Sequence, residues 1–144
     1  MYELEIKLLC KNSKMPEFAN NGDAGMDIFS IEEKIIKSGE SELIRTGISL
    51  KLPKDTEIQI RPKSGLALNH QITLLNSPGT IDEGYRGEIK VIVINHGKKD
   101  FVVKEGMKIA QMVLKPIYKV KLTETNEMNL DTQRGNNGFG SSGV

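Results

Sequence analysis

Two histidines and one cysteine in 144 residues leave little material for imidazole or thiol chemistry. His70 and His96 have no spacing with each other or with Cys10 that makes a zinc site or a histidine-based triad, and each reads as an ordinary loop residue. Any catalysis here leans on carboxylates. The carboxylate with the richest surroundings is Asp82, in the stretch NSPGTIDEGYRGEIKV at residues 76–91. The pattern predicts a β-hairpin with residues 82–84 at its turn, where an aspartate ordinarily bonds to nearby backbone. The neighbours supply more than a turn needs. Gly79 lets backbone approach a planar group, Asn76 offers an amide, and Tyr85 offers a flat face, which are parts for recognising a nucleoside.

Four other stretches carry polar groups at element ends. In RPKSGLA, residues 61–67, Ser64 and Gly65 can offer backbone N–H groups to a phosphate while Arg61 or Lys63 supplies charge. The ordinary alternative is a turn with a solvated basic rim. EGMKIAQMVL, residues 105–114, sets Gln111 among apolar residues, pointing either to solvent or at a ligand oxygen. AGMDIFS, residues 24–30, holds Asp27 as either a turn-capping carboxylate or a partner of a metal-bound water. The last stretch, RGNNGFGSSGV at residues 134–144, has too little apolar surface to hold itself down. Yet it spaces Arg134, then Phe139 bracketed by Gly138 and Gly140, then Ser141 and Ser142, as a strip able to fold over a ligand.

The elements that must position these groups are strands. Leu4, Ile6 and Leu8, then Ile48, Leu50 and Leu52, then Ile58 and Ile60 alternate with polar residues, as half-buried strands do. ITLLN and IKVIVIN are apolar on both faces and β-branched, which predicts strands buried deep between layers. Gly and Pro recur at short intervals and leave no room for long helices. SGLALNHQ is the one helical turn, with Ser64 as its cap. These features predict an all-β barrel or sandwich. Residues 1–118 are expected to form it, and residues 119–144 an extended, flexible, glycine-rich arm and tail of the same domain, able to reach a neighbouring subunit.

The charge balance, 20 Lys and Arg against 19 Asp and Glu, gives no global reason to bind nucleic acid or an anionic membrane. No apolar run is long enough to span a bilayer, the first residues lack a signal-peptide core, and a lone cysteine makes no internal disulfide. A soluble protein in a reducing cytoplasm is the expectation.

The stretches AGMD, RPKSGLA, N-x-x-G-x-IDEGYRGE, GMKIAQM and RGNNGFGSSG resemble, in order and approximate spacing, the five motifs of the trimeric dUTP diphosphatases. Together they span residues 24–143. The resemblance implies a jelly-roll-like β-barrel, a homotrimer with sites at subunit boundaries, and Mg2+-dependent hydrolysis of dUTP to dUMP and pyrophosphate. That reaction lowers dUTP and supplies dUMP for thymidylate synthesis. Carried over by position, Asp82 matches the carboxylate that activates water, and Asn76 and Tyr85 match the groups that hold uracil and pack on deoxyribose, beside Gly79. Ser64, Gly65 and Gln111, with Arg61 and Lys63, match phosphate-binding positions. Arg134, Ser141 and Ser142 match tail groups that clamp the terminal phosphate, and Phe139, next to Gly140, matches the ring stacked over uracil. Asp27 matches a motif carboxylate acting on metal through water, the remaining metal contacts coming from substrate phosphates.

One position departs from the pattern. The family usually has arginine before the serine of the second motif, whereas this chain has Lys63, a point charge in place of a bidentate fork. Two alternatives stand beside this reading. A dCTP deaminase of related fold needs a glutamate ten residues after the aspartate, where this chain has Ile92. A catalytically silent nucleotide-binding β-protein has no use for Asp82, Gln111 and a full tail together.

Overall fold

The computed structural model describes residues 1–141 and 143. Ser142, expected among the phosphate-clamping groups, lies outside the described residues. Among the described residues, eleven strands run in chain order with one helix between the sixth and seventh. They form a two-layer, jelly-roll-like β structure, as the alternation predicts. One sheet has the order β1 (Glu5–Leu8), β5 (Ser41–Lys51), β9 (Glu88–Asn95), β7 (Ile72–Leu74). The other has the order β2 (Glu17–Phe18), β3 (Met26–Phe29), β11 (Lys108–Pro116), β6 (Thr56–Arg61), β8 (Gly79–Ile81). A short ladder joins β4 (Lys34–Ile36) to β10 (Phe101–Val103).

The core between the layers is built from β-branched residues at alternate positions. Ile44, Ile48 and Leu50 of β5 and Ile89, Val91 and Val93 of β9 meet Ile28, Ile58, Ile60 and Met112 of the other sheet. Such side chains suit a pleated, buried surface. β5, eleven residues long, serves two neighbours, β1 and β9, and is bulged between Arg45 and Ser49. Gly47 permits the bulge. It has φ +67°, and a Cβ there would lie 2.2 Å from Ser13 Oγ.

Three expectations need correction. β8 and β9 do not form a hairpin: β8 pairs with β6, and β9 pairs with β5 and β7. The loop holding Asp82 therefore crosses from one sheet to the other. An apolar run, a glycine turn and a second apolar run look alike in both arrangements, and the choice depends on which edges are open. Ser64 is not the helix cap. Helix α1 (Ser64–His70) starts after Lys63, which makes no side-chain capping bond, and Ser64 is its first residue. Nor is IKVIVIN buried on both faces, since Ile92 and Ile94 are only half-buried and Leu75 beyond β7 is exposed. The outer face of that sheet is not covered within one chain.

After β11 ends at Pro116, Ile117 N–H donates to Asp55 O at 3.0 Å and Lys119 pairs with Asp55 at 2.9 Å. Beyond that root the described residues form no strand or helix. Among the described residues, no helix is long and apolar enough to cross a membrane.

Candidate active site

Strand register brings three of the five stretches to one place. Glu17, Asp27, Gln111 and Arg61 stand in a row across β2, β3, β11 and β6. Facing residues on neighbouring strands project from the same side of a sheet. The row therefore points away from the core that Ala110 and Met112 enter. Lys63, two residues beyond β6, folds back so that its ammonium donates to Asp27 Oδ1. α1 begins at Ser64, so Ser64 and Gly65 lie exposed beside that ion pair.

Gln111 is held from two sides. Its Nε2 donates to Pro62 O at 3.1 Å. Its Oε1 occupies the space beside Gly25, where a Cβ would lie 2.1 Å away. Arg61 is oriented by Gln59, whose Oε1 accepts from Nη2 at 2.6 Å. An amide, a guanidinium, an ammonium and a hydroxyl thus sit at one end of β6, a set suited to phosphate oxygens.

Asp27 is buried and belongs to β3, so it caps no turn. Its Oδ2 accepts from Lys108 at 2.9 Å while Oδ1 accepts from Lys63. Burial pushes the carboxyl up, but the hydrogen bonds and charges of the two lysines outweigh it and hold the group below its ordinary value. Lys108 in turn is raised by its bonds to Asp27 and Glu17. Sequence patterning gave no role to Lys108, because regular alternation places it on the opposite face from Gln111.

Asp82 occupies a separate cleft. It starts the crossover loop, with Tyr85 N–H donating to Asp82 O at 3.0 Å. Thr80, Ile81, Asp82, Tyr85, Glu88 and Lys90 line a hollow of about 270 Å³. The Tyr85 hydroxyl donates to Glu88 O at 3.1 Å, and Gly87 is needed below the ring, since a Cβ there would lie 2.3 Å from that hydroxyl. Arg86 closes the loop by donating to Glu83 O at 2.6 Å, and Glu83 accepts from Asp55 N–H at 2.8 Å. The loop is thereby braced while the Asp82 side chain stays exposed, with no hydrogen bond or ion pair among the described residues. Gly79 is buried against Ile60 and Asn76, whose Nδ2 would lie 3.2 Å from an added Cβ. The close approach it allows is to its own chain.

These two halves do not meet within one chain. Ile81 faces Ile58, and Gln111 faces Arg61. Asp82 therefore lies on the order of 15 Å from the Gln111 row, at ~3.3 Å per residue along a strand and ~4.8 Å between strands. A base must reach the attacked atom within hydrogen-bond range, and that separation is too long for donors acting on the next phosphate. Among the described residues the tail makes no hydrogen bond or ion pair to either half. Phe139 is fully exposed, with φ +51°, and Arg134 Nε donates to Asn137 O at 3.1 Å. Ser141 N–H donates to Gly138 O at 3.1 Å, a bond within the tail itself.

Comparison with known proteins agrees across the whole chain. The family model described as dUTPase matches residues 11–143. A deoxyuridine 5′-triphosphate nucleotidohydrolase of Clostridium acetobutylicum is 60% identical over 144 residues, covering 100% of this chain and 99% of that protein. One of the same name from Clostridioides difficile is 58% identical over 143 residues, covering 99% of both. Among solved structures, a variant dUTPase of Staphylococcus bacteriophage 80alpha with dUpNHpp is 28% identical, covers 99% of each chain and superposes with a TM-score of 0.91. A variant dUTPase of phage phi11 of S. aureus, described with a structural Mg(II) ion, is 25% identical, covers 87% of this chain and 97% of that one, and has a TM-score of 0.80.

Proposed function

This chain belongs to the dUTPase family and hydrolyses dUTP, and on that premise we propose that Asp82 is the base that activates the attacking water. Water adds to the α-phosphorus, its proton passes to the Asp82 carboxylate, and the bond to the bridging oxygen breaks to leave dUMP and pyrophosphate. The observation that carries this assignment is the exposed, uncommitted carboxylate of Asp82 beside Tyr85 in one cleft. Uracil and deoxyribose sit against Asn76 and Tyr85, where fixed backbone groups penalise cytosine's reversed donor pattern and the Tyr85 ring leaves no room for a 2′-hydroxyl. Arg61, Lys63, Ser64, Gly65 and Gln111 bind the phosphates.

The donors fit a Mg2+ ion that arrives on the triphosphate. No three carboxylate, imidazole or thiol groups cluster among the described residues, and both Asp27 oxygens are taken by ammonium groups. The exposed Asp82 in its cleft would hold such an ion through water, with the remaining contacts coming from the substrate phosphates. When bound, the ion neutralises charge on the phosphate oxygens.

The active assembly is a homotrimer, in which the Asp82 cleft of one subunit faces the Gln111 row of a neighbour. The separation of the two halves within one chain supports this reading. Residues 119–144 act as an arm and lid, Phe139 over the base and Arg134, Gly140, Ser141 and Ser142 on the terminal phosphate. The unpaired Cys10 suits a cytoplasmic setting. Incubation with the eight common nucleoside triphosphates and Mg2+ tests the whole reading. Pyrophosphate from dUTP alone is expected, and release from dCTP or UTP at a comparable rate overturns the selectivity argument.

A further inference from the structure

The row of facing residues contains an electrostatic conflict. Glu17 stands directly opposite Asp27 on neighbouring strands, and like charges so placed destabilise a sheet. Lys108 resolves it, with its Nζ 2.9 Å from Asp27 Oδ2 and 3.0 Å from Glu17 Oε1. It reaches that place through a backbone irregularity. Gln111 faces Asp27 and Ala110 faces Ile28, but Lys108 faces Phe29, so Ile109 is an extra residue in β11. A bulge of this kind re-aims the side chain beside it. Without it Lys108 would share the face of Ala110 and Met112 and point into the core. With it Lys108 joins the face of Asp27 and Phe29, and its Nζ lies 5.8 Å from the Phe29 ring centroid.

We propose that Lys108 is a positioning residue for triphosphate binding, acting through Asp27 on Lys63. By holding one oxygen of Asp27, it turns the other toward the Lys63 ammonium, at the edge of the group containing Arg61, Ser64 and Gln111. This matters more here than where an arginine precedes the serine. A guanidinium fork is rigid and carries its own orientation, whereas a lysine head on four methylenes is placed by its partner. Lys108 also balances charge. With it, Lys63, Lys108 and Arg61 outweigh Glu17 and Asp27 by one positive charge. Without it, two facing carboxylates compete with the phosphates for Lys63.

The proposal rests on the reading of Lys63 as a phosphate-binding group, and the test separates the two. Binding of dUpNHpp and of dUMP is measured by calorimetry on the full chain and on Lys63→Gln, Lys108→Gln, Lys108→Arg and the Lys63→Gln/Lys108→Gln pair. Lys108→Gln is expected to weaken dUpNHpp by about tenfold or more while leaving dUMP nearly unchanged, the size of a lost charge-assisted contact. Lys108→Arg restores binding, and in the double variant the second change adds little to the first. Lys108 has a side chain 40% exposed, so its replacement leaves no buried hole. Glu17→Gln, at an exposed position, is the second variant: it removes the carboxylate that faces Asp27 and competes for Lys108, so dUpNHpp binding is expected to match the parent or tighten up to about fivefold, the worth of one exposed ion pair, and a loss as large as that of Lys108→Gln overturns the charge-balance argument. If Lys63→Gln weakens dUpNHpp but Lys108→Gln does not, the positioning role is overturned and the phosphate role of Lys63 stands. If Lys63→Gln binds dUpNHpp normally, both fall. Equal loss of dUpNHpp and dUMP in Lys108→Gln means a structural role only and also overturns the proposal.

Discussion

A Cβ on Gly25 would lie 2.1 Å from Oε1 of Gln111, so the missing side chain just before β3 is what lets the amide within β11 stand where it does. The atom in the way is the end of a flexible side chain, and no backbone or core atom has to move. Gly25→Ala is therefore expected to leave folding intact, with melting within about 4 °C of the parent. Displacing the amide costs roughly ten- to a hundredfold in kcat/KM, the range for a hydrogen bond to a charged group. Gln111→Ala should give the same loss, and the double variant no more than either alone. Additive losses in a double-mutant cycle would show that Gly25 acts elsewhere.

Asp82→Asn should bind dUpNHpp and melt like the parent, because the side chain is exposed and makes no bond among the described residues. Its kcat should fall by roughly 10²–10⁴, the usual worth of a general base. Single-turnover rates provide the check. Near-normal turnover removes Asp82 from the role of base.

Asp27 links stability to acid. Its carboxyl is held below the ordinary value of 3.8 in the folded chain, so the unfolded chain takes up its proton first as pH falls. The Asp27 contribution to stability is complete above that ordinary value and is lost as pH drops through the lower, folded one. Melting curves from pH 7 to pH 2 should show Asp27→Asn less stable at neutral pH and converging with the parent at the acid end. Parallel curves would mean that the lysine pairs do not hold the carboxylate.

Co-expression of Asp82→Asn with Lys63→Ala/Gln111→Ala tests whether a site is shared. If each site takes Asp82 from one subunit and the Gln111 row from another, random mixing returns about a quarter of parental turnover per site. If both halves came from one chain, every site would carry a defect and no activity would return. Light scattering on the same samples should give a trimer.

Truncation after Gln133 should leave assembly and melting nearly unchanged, since the described tail residues bond only within the tail. Turnover should nearly vanish, with Phe139→Ala intermediate, because closing the tail excludes bulk water from the reacting phosphate. Tail resonances that stay equally mobile with and without dUpNHpp would remove the lid.

The sequence alone determined the class of fold and the motifs that nominate the site residues. Period-two alternation at residues 48–52 and 58–60 depends only on which side chains avoid water, and it is local, so the strands could be read off. Short motifs with glycine at fixed offsets were legible for the same reason: Asp82, Tyr85, Gln111 and the tail ring are recognised by their neighbours in the chain. Strand partnership is not local. Only the tertiary structure decided that residues 82–87 cross between sheets instead of closing a hairpin, because which edge β8 joins depends on β6, some twenty residues earlier. It also decided that Asp27 faces two ammonium groups and not a turn. Lys63 and Lys108 are 45 positions apart in the chain. What joins them on one carboxylate is a fold-back after β6 and one extra residue in β11, and both follow from how strands register, a property that no single stretch of sequence contains.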